Sequence, residues 1–185
     1  MSKKLKTVLI VVLCGLIVLF GAYLIVKQVM GDRFSLAALL PCGNTVFTQK
    51  YEQPNIDVTY HEDLAQEVLD YLNSVRKTAG LGELSMDHGA MMDAAKARAK
   101  EITVYFAHER LNGDDNFTVF KEYGVSYRYA GENLASGQPS VASVFSSWWN
   151  SPDHKKNLMG EHYNRVSIVC MEYEGQMYWV QLFRD

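Results

Sequence analysis

Residues 166–183, VSIVCMEYEGQMYWVQLF, decide the fold, because two apolar runs of strand length meet there at a tight turn. Val166, Ile168 and Cys170 alternate with Ser167, Val169 and Met171, which is the period of a strand, and Glu174-Gly175 supplies the turn. Residues 177–183 read as the return strand, with Trp179 and Phe183 on one face and Tyr178, Val180 and Leu182 on the other. Apolar side chains on both faces mean a strand covered on both sides.

Upstream the period lengthens. Leu64, Val68, Leu69, Leu72, Val75 and Ala79 recur at helical spacing until Gly80 and Gly82 stop them. A second helix opens with Asp87 as its N-cap and carries Met91, Ala95, Ala99 and Ile102 on its inner stripe, with Lys96, Arg98 and Lys100 mainly outside it. A shorter helix over 117–123 is capped by Asn116 and closed by Gly124, and a fourth runs from Ser140 to about Asn150, where Pro152 ends it. Helices before and between strands, with the sheet built late, give a layered α/β (α+β) domain over residues 60–185.

The N-terminal part is of another kind. The run 7–26, opening at Thr7 and closing at Val26, holds 20 uncharged residues, which as a helix span the roughly 30 Å core of a bilayer. Gly21 and Ala22 are followed by Tyr-Leu-Ile-Val rather than by a cleavage site, so the run is read as an uncleaved plasma-membrane anchor, with secretion after cleavage as the alternative. Lys3, Lys4 and Lys6 keep residues 1–6 cytoplasmic and put the C-terminal domain outside the cell. Residues 27–59, with Pro41 and Pro54 and no sustained period, form a stalk.

Setting Lys3, Lys4, Lys6 and Lys27 aside leaves 14 basic against 21 acidic residues, a formal −7 for the rest of the chain. Such a surface repels phosphate backbones and anionic headgroups, so nucleic acid is excluded as a partner and no polybasic lipid patch exists beyond residue 6. Cys14 lies in the membrane run, and Cys42 and Cys170 offer one candidate disulfide in an oxidising exterior; the alternative is a buried Cys170 and an unpaired Cys42.

Five histidines remain, and His108, His154 and His162 fall in stretches rich in turn formers, where sites on a rigid scaffold are usually found. His108 sits in FAHERLNG, Glu132 in AGENLASG, His154 in WWNSPDHKKN and His162 in GEHYNRVSI. Together with LDYLNSVRKTAGLGELSMD at 69–87, Ala95, Arg98 and Ala99 in the second helix, and the closing YWVQLF at 178–183, these strings resemble the CAP superfamily in the right order. That superfamily includes cysteine-rich secretory proteins, venom antigens and plant pathogenesis-related proteins, and the likeness is greatest to its bacterial, SCP-like extracellular branch.

The resemblance implies a three-layer α-β-α sandwich with a cleft. In animal and plant members the cleft carries two histidines and two glutamates; His108, Glu132 and His162 match three of them, while Asn150-Ser151 stands where the second glutamate belongs. His154 is carried over from the Ser-Pro-Gly-His-Arg string of bacterial members, with Asp153 in place of the glycine. Two or three imidazoles with one carboxylate can hold a Zn ion, shuttle protons near neutral pH, or simply stabilise the cleft. Glu132 is read either as a buried carboxylate or as facing the ligand, His61 and His88 as solvated or capping residues, and Trp148, Trp149 and Trp179 as core.

No serine stands in a nucleophile-elbow string, and Cys170 is mid-strand between apolar neighbours, so covalent catalysis is not expected. Two classes follow: a membrane-tethered extracellular module whose cleft binds a lipid, an envelope component, a peptide or a protein, and a metal-dependent, peptidase-like hydrolase using His108, Glu132, His154 and His162.

Overall fold

The computed structural model describes residues 52–185, which run β1 (Thr59–Tyr60), α1 (Glu62–Thr78), β2 (Ser85–Met86), α2 (Ala90–Val104), α3 (Thr118–Glu122), β3 (Ala130–Ser136), α4 (Val141–Trp149), α5 (Pro152–Leu158), β4 (Arg165–Tyr173) and β5 (Gln176–Arg184). The expected tail, the anchor 7–26, Cys42 and most of the stalk lie outside the described residues. β1 opens at Thr59, the last residue of the expected stalk, and pairs Thr59 with Glu172.

The hairpin read from the sequence forms as expected. β4 and β5 pair antiparallel from Arg165↔Arg184 to Tyr173↔Gln176. Glu174 at φ 50 and Gly175 at φ 76 make the two-residue turn, and positive φ at both positions matches the twist of the strands it joins. The sheet order is β1-β4-β5-β3, with β2 added parallel to β4. β3 is an addition that turn-rich AGENLASG did not announce, and it lies antiparallel on β5, Glu132 opposite Leu182.

Helices cover both faces, so the two-sided apolar pattern of residues 177–183 holds. On one face Trp179, Phe183, Val166, Ile168 and Cys170 pack with Val68, Leu69 and Leu72 of α1 and with Val144, Phe145 and Trp148 of α4. On the other, Val180, Leu182, Val169 and Met171 pack with Ala94, Ala95, Ala97, Ala99 and Ile102 of α2 and with Val119 and Phe120 of α3. Each large side chain taken from water here contributes about 1.5–3 kcal/mol.

Helix ends explain the differences from expectation. α1 stops as read: the Gly80 N–H bonds to Lys77 O and the Leu81 N–H to Arg76 O, around Gly80 at φ 76, a cap that glycine favours. Asp87 does not cap α2, which begins after Gly89; its carboxylate instead accepts from Arg184 Nη2 at 2.6 Å. Ser140 caps α4 through a capping box with Ser143. Pro152 does more than end α4, because it occupies the first turn of α5, where its missing N–H costs nothing. His154 therefore stands on a helix rather than in a loop.

The free edge of β3 is closed by side chains from the α4 to β4 segment. Trp148 Nε1 donates to Leu134 O at 3.1 Å, Asn157 Nδ2 to Glu132 O at 3.0 Å and the Tyr163 hydroxyl to Ala130 O at 3.0 Å. Gly131 makes room for this: a Cβ there would meet the Tyr163 hydroxyl at 2.7 Å and Asn157 Oδ1 at 2.9 Å.

Candidate functional site

Arg98 organises the site. It was expected on the outer side of α2, yet it is fully buried, its neighbours Ala94, Ala95, Ala97 and Ala99 being small enough to leave room for it. Its Nε donates to Glu132 Oε2 at 2.8 Å, its Nη1 to Glu101, and its Nη2 to the carbonyls of Ala107 at 2.8 Å and His108 at 3.1 Å. One guanidinium thus ties β3 to the segment beyond α2 that carries His108. Glu101 passes the charge on to Arg110, whose Nη1 reaches Glu122 at 2.7 Å. Two arginines face two buried glutamates, so the charges of this buried cluster balance.

Glu132 is 4% exposed. Oε2 takes Arg98; Oε1 takes Asn116 Nδ2 at 3.0 Å and lies 2.7 Å from His108 Nδ1. Asn116, expected to cap the third helix, is instead a ligand of this carboxylate, and the helix begins after Phe117. Since an ionised carboxylate only accepts, His108 Nδ1 carries the proton and Nε2 is the nitrogen left for a ligand. The bond to Glu132 holds the His108 imidazole above its ordinary titration range, against a smaller opposing effect of burial. The His108 side chain is 59% exposed, so this nitrogen is reachable.

His154 is half-buried, and its carbonyl accepts from Asn133 Nδ2 at 3.2 Å. Burial, and then repulsion from His108, push its imidazole below the ordinary range, which means the two rings are within electrostatic reach of each other. Its Nδ1 is buried and has no hydrogen-bond partner among the described residues. His162 behaves differently: it is exposed and stacks on Tyr129, ring centroids 4.2 Å apart. The structure thus joins His108 to Glu132, sets His154 near them and leaves His162 on the Tyr129 ring. Beside His108 an open cavity of about 290 Å³ is lined by Glu109, Gly113, Asp114, Asp115 and Asn116.

A Zn ion does not fit this donor set. Both Glu132 oxygens and His108 Nδ1 are engaged with one another and with Arg98 and Asn116, and among the described residues no three His, Cys, Asp or Glu side chains form a metal-binding group. Cys170 offers no nucleophile: it is a buried free thiol, pushed up to about 12 by burial. Arg98 and Asn116 are the residues that sequence reading missed. The spacing of Arg98 and Glu101 among alanines was the available signal, because large charged side chains on a helix of small ones have space to turn inward.

The model of the cysteine-rich secretory protein family (CAP) matches residues 69–183. An uncharacterized protein of Bacillus subtilis (strain 168), YkwD, is 30% identical over 120 residues, 64% of this chain and 46% of its own length. The chain therefore spans less than half of that curated relative. A crystal structure of an extracellular protein containing an SCP domain from Bacillus anthracis has a TM-score of 0.60 at 24% identity, covering 66% of this chain and 40% of the other. An outer surface protein of Borrelia burgdorferi has a TM-score of 0.63 at 22% identity, covering 70% of this chain and 98% of the other.

Proposed function

Taking as premise that this chain belongs to the cysteine-rich secretory protein (CAP) family, we propose that it is an extracellular binding module, anchored in the plasma membrane by residues 7–26, whose cleft at His108 and His154 holds a ligand rather than cleaving one. The observation that carries the reading is Glu132: a carboxylate whose Oε1 is shared by Asn116 and His108 and whose Oε2 is held by Arg98 is a positioning group. What the cleft offers is His108 Nε2, a donor on the protonated ring that the bond to Glu132 favours, and the nearby His154 ring, with the acidic 109–116 loop on one side and Lys155 and Lys156 next to His154 on α5. That suits a polar ligand with acceptors, such as an envelope component. The extracellular setting draws on the lysines before residue 7 and on the two structural relatives described as extracellular and outer-surface proteins.

Hydrolysis is the second reading, because one imidazole raised and one lowered is the pattern of an acid and a base. Incubating the detergent-solubilised 185-residue chain with purified cell-wall sacculi separates the two. Binding predicts co-sedimentation with the sacculi, weakened about tenfold in His108→Ala, which corresponds to about 1.4 kcal/mol, and no release of soluble fragments. Fragments released by the wild type and absent with His108→Ala would establish the hydrolase instead. The anchor has its own test: protease added to intact cells removes the domain, and removal only after permeabilisation reverses the topology.

A further inference from the structure

The sheet has a second open place, on the edge away from β3. β1 pairs with Met171 and Glu172 of β4, and β2 with Arg165 and Val166. Beyond those pairs the His61 N–H donates to Cys170 O at 2.9 Å and the Asp87 N–H to Val166 O at 2.8 Å, which takes up the carbonyls on both sides of one residue. That residue is Ile168. In an antiparallel strand alternate residues direct their main-chain groups to the same side, so Ile168, in phase with Val166 and Cys170, turns its N–H and C=O away from β5 and into the gap. Neither group has a hydrogen-bond partner among the described residues, although Ile168 is only 1% exposed. Buried main-chain donors and acceptors are almost always satisfied, so this pair calls for an occupant.

A cavity of about 190 Å³ opens onto the gap. Ala65 from α1 and Met86 and Met92 from the β2–α2 side give it apolar walls, while Glu62 on one side and Lys96 on the other supply both signs of charge. We propose that it binds a single free α-amino acid with a compact apolar side chain, whose ammonium donates to Ile168 O, whose carboxylate accepts from the Ile168 N–H, and whose side chain rests on Ala65, Met86 and Met92. An extended amino acid carries its donor and acceptor at the spacing of one strand residue, and the gap is one residue wide. A longer peptide strand does not suit it, because the chain at His61 and Asp87 already occupies the neighbouring carbonyls of β4. Glu62 favours the ammonium, and Lys96 favours the carboxylate.

Titration of the isotopically labelled 185-residue chain with L-alanine, L-valine or L-methionine, read at the Ile168 and Cys170 amide resonances, tests the assignment. The expected result is a saturable shift at Ile168, with slower hydrogen exchange of that amide, while propionate and n-propylamine, which each carry one of the two charged groups, produce neither. Ala65→Leu fills the cavity and should abolish the shift. Because that change lies in the core, Glu62→Gln combined with Lys96→Gln at the rim provides a second variant, expected to weaken binding at least threefold. No shift at Ile168 with any of the three amino acids overturns the proposal, as do an equal shift with propionate alone and tighter binding of an end-blocked tripeptide.

Discussion

Along β3 the outward carbonyls of Leu134, Glu132 and Ala130 are taken by side chains of Trp148, Asn157 and Tyr163, whereas along β4 the outward groups are taken by main chain from β1 and β2, with Ile168 left between them. Side chains close an edge without adding a strand, and the elements that carry them can then do something else. α5 shows this: Asn157 seals Glu132 O while His154, three residues earlier on the same helix, comes within electrostatic reach of His108. Closing an exposed edge and building the site are one operation on that side of the sheet. On the other side the closing strands are two residues each, too short to meet, and the space between them is a cavity.

Four measurements break or sharpen the contrast. Arg98→Ala has the largest expected effect, about 3–5 kcal/mol in urea unfolding, because it leaves Glu132 and Glu101 buried beside one fewer cation. A loss below 1 kcal/mol would mean that the β3 side does not depend on its buried charges. Asn157→Leu should cost about 1–3 kcal/mol by leaving Glu132 O and Asn133 Oδ1 without their donor. Tyr163→Phe removes one hydroxyl bond and should cost about 0.5–1.5 kcal/mol. If the order of these two is reversed, the side chains are not what closes the edge.

The smallest effect is on protonation. By NMR, His108 should titrate above and His154 below the ordinary value near 6.5, and Glu132→Gln should bring His108 down. The sign for stability follows. The His108 contribution is fully present below about 6.5 and is lost as pH rises through its raised folded value; the His154 contribution is present above about 6.5 and is lost as pH falls through its lowered one. Coincident midpoints would remove the electrostatic distinction between the two rings.

Periodicity alone carried the hairpin, α1 and α4, since their apolar spacing is uninterrupted and their ends carry glycine or a serine cap. β3 was not legible, because AGENLASG holds only two large side chains, Glu132 and Leu134, that face the α2 layer, and its strand state comes from pairing with β5, far along the chain. α5 was hidden by Pro152, which marks a helix start as readily as an end. At the site, His108 and Glu132 were legible through resemblance to the family. The roles of Arg98 and Asn116 were not, since whether a polar side chain turns inward depends on a partner contributed by another element.

The pairing of β3 also sets an order of events. Glu132 finds its register only against Leu182, and the Arg128 and Tyr129 amides that lead into β3 bond to the Asp185 carboxylate. A ribosome makes β3 before β5, so until the last strand is released the glutamate has no strand to lie on and the chain must wait with an unpaired edge. Loop closure over that separation slows folding and leaves the intermediate prone to association. A chain shortened by the nine residues of β5 would retain His108, Glu132 and His154 and would have no cleft.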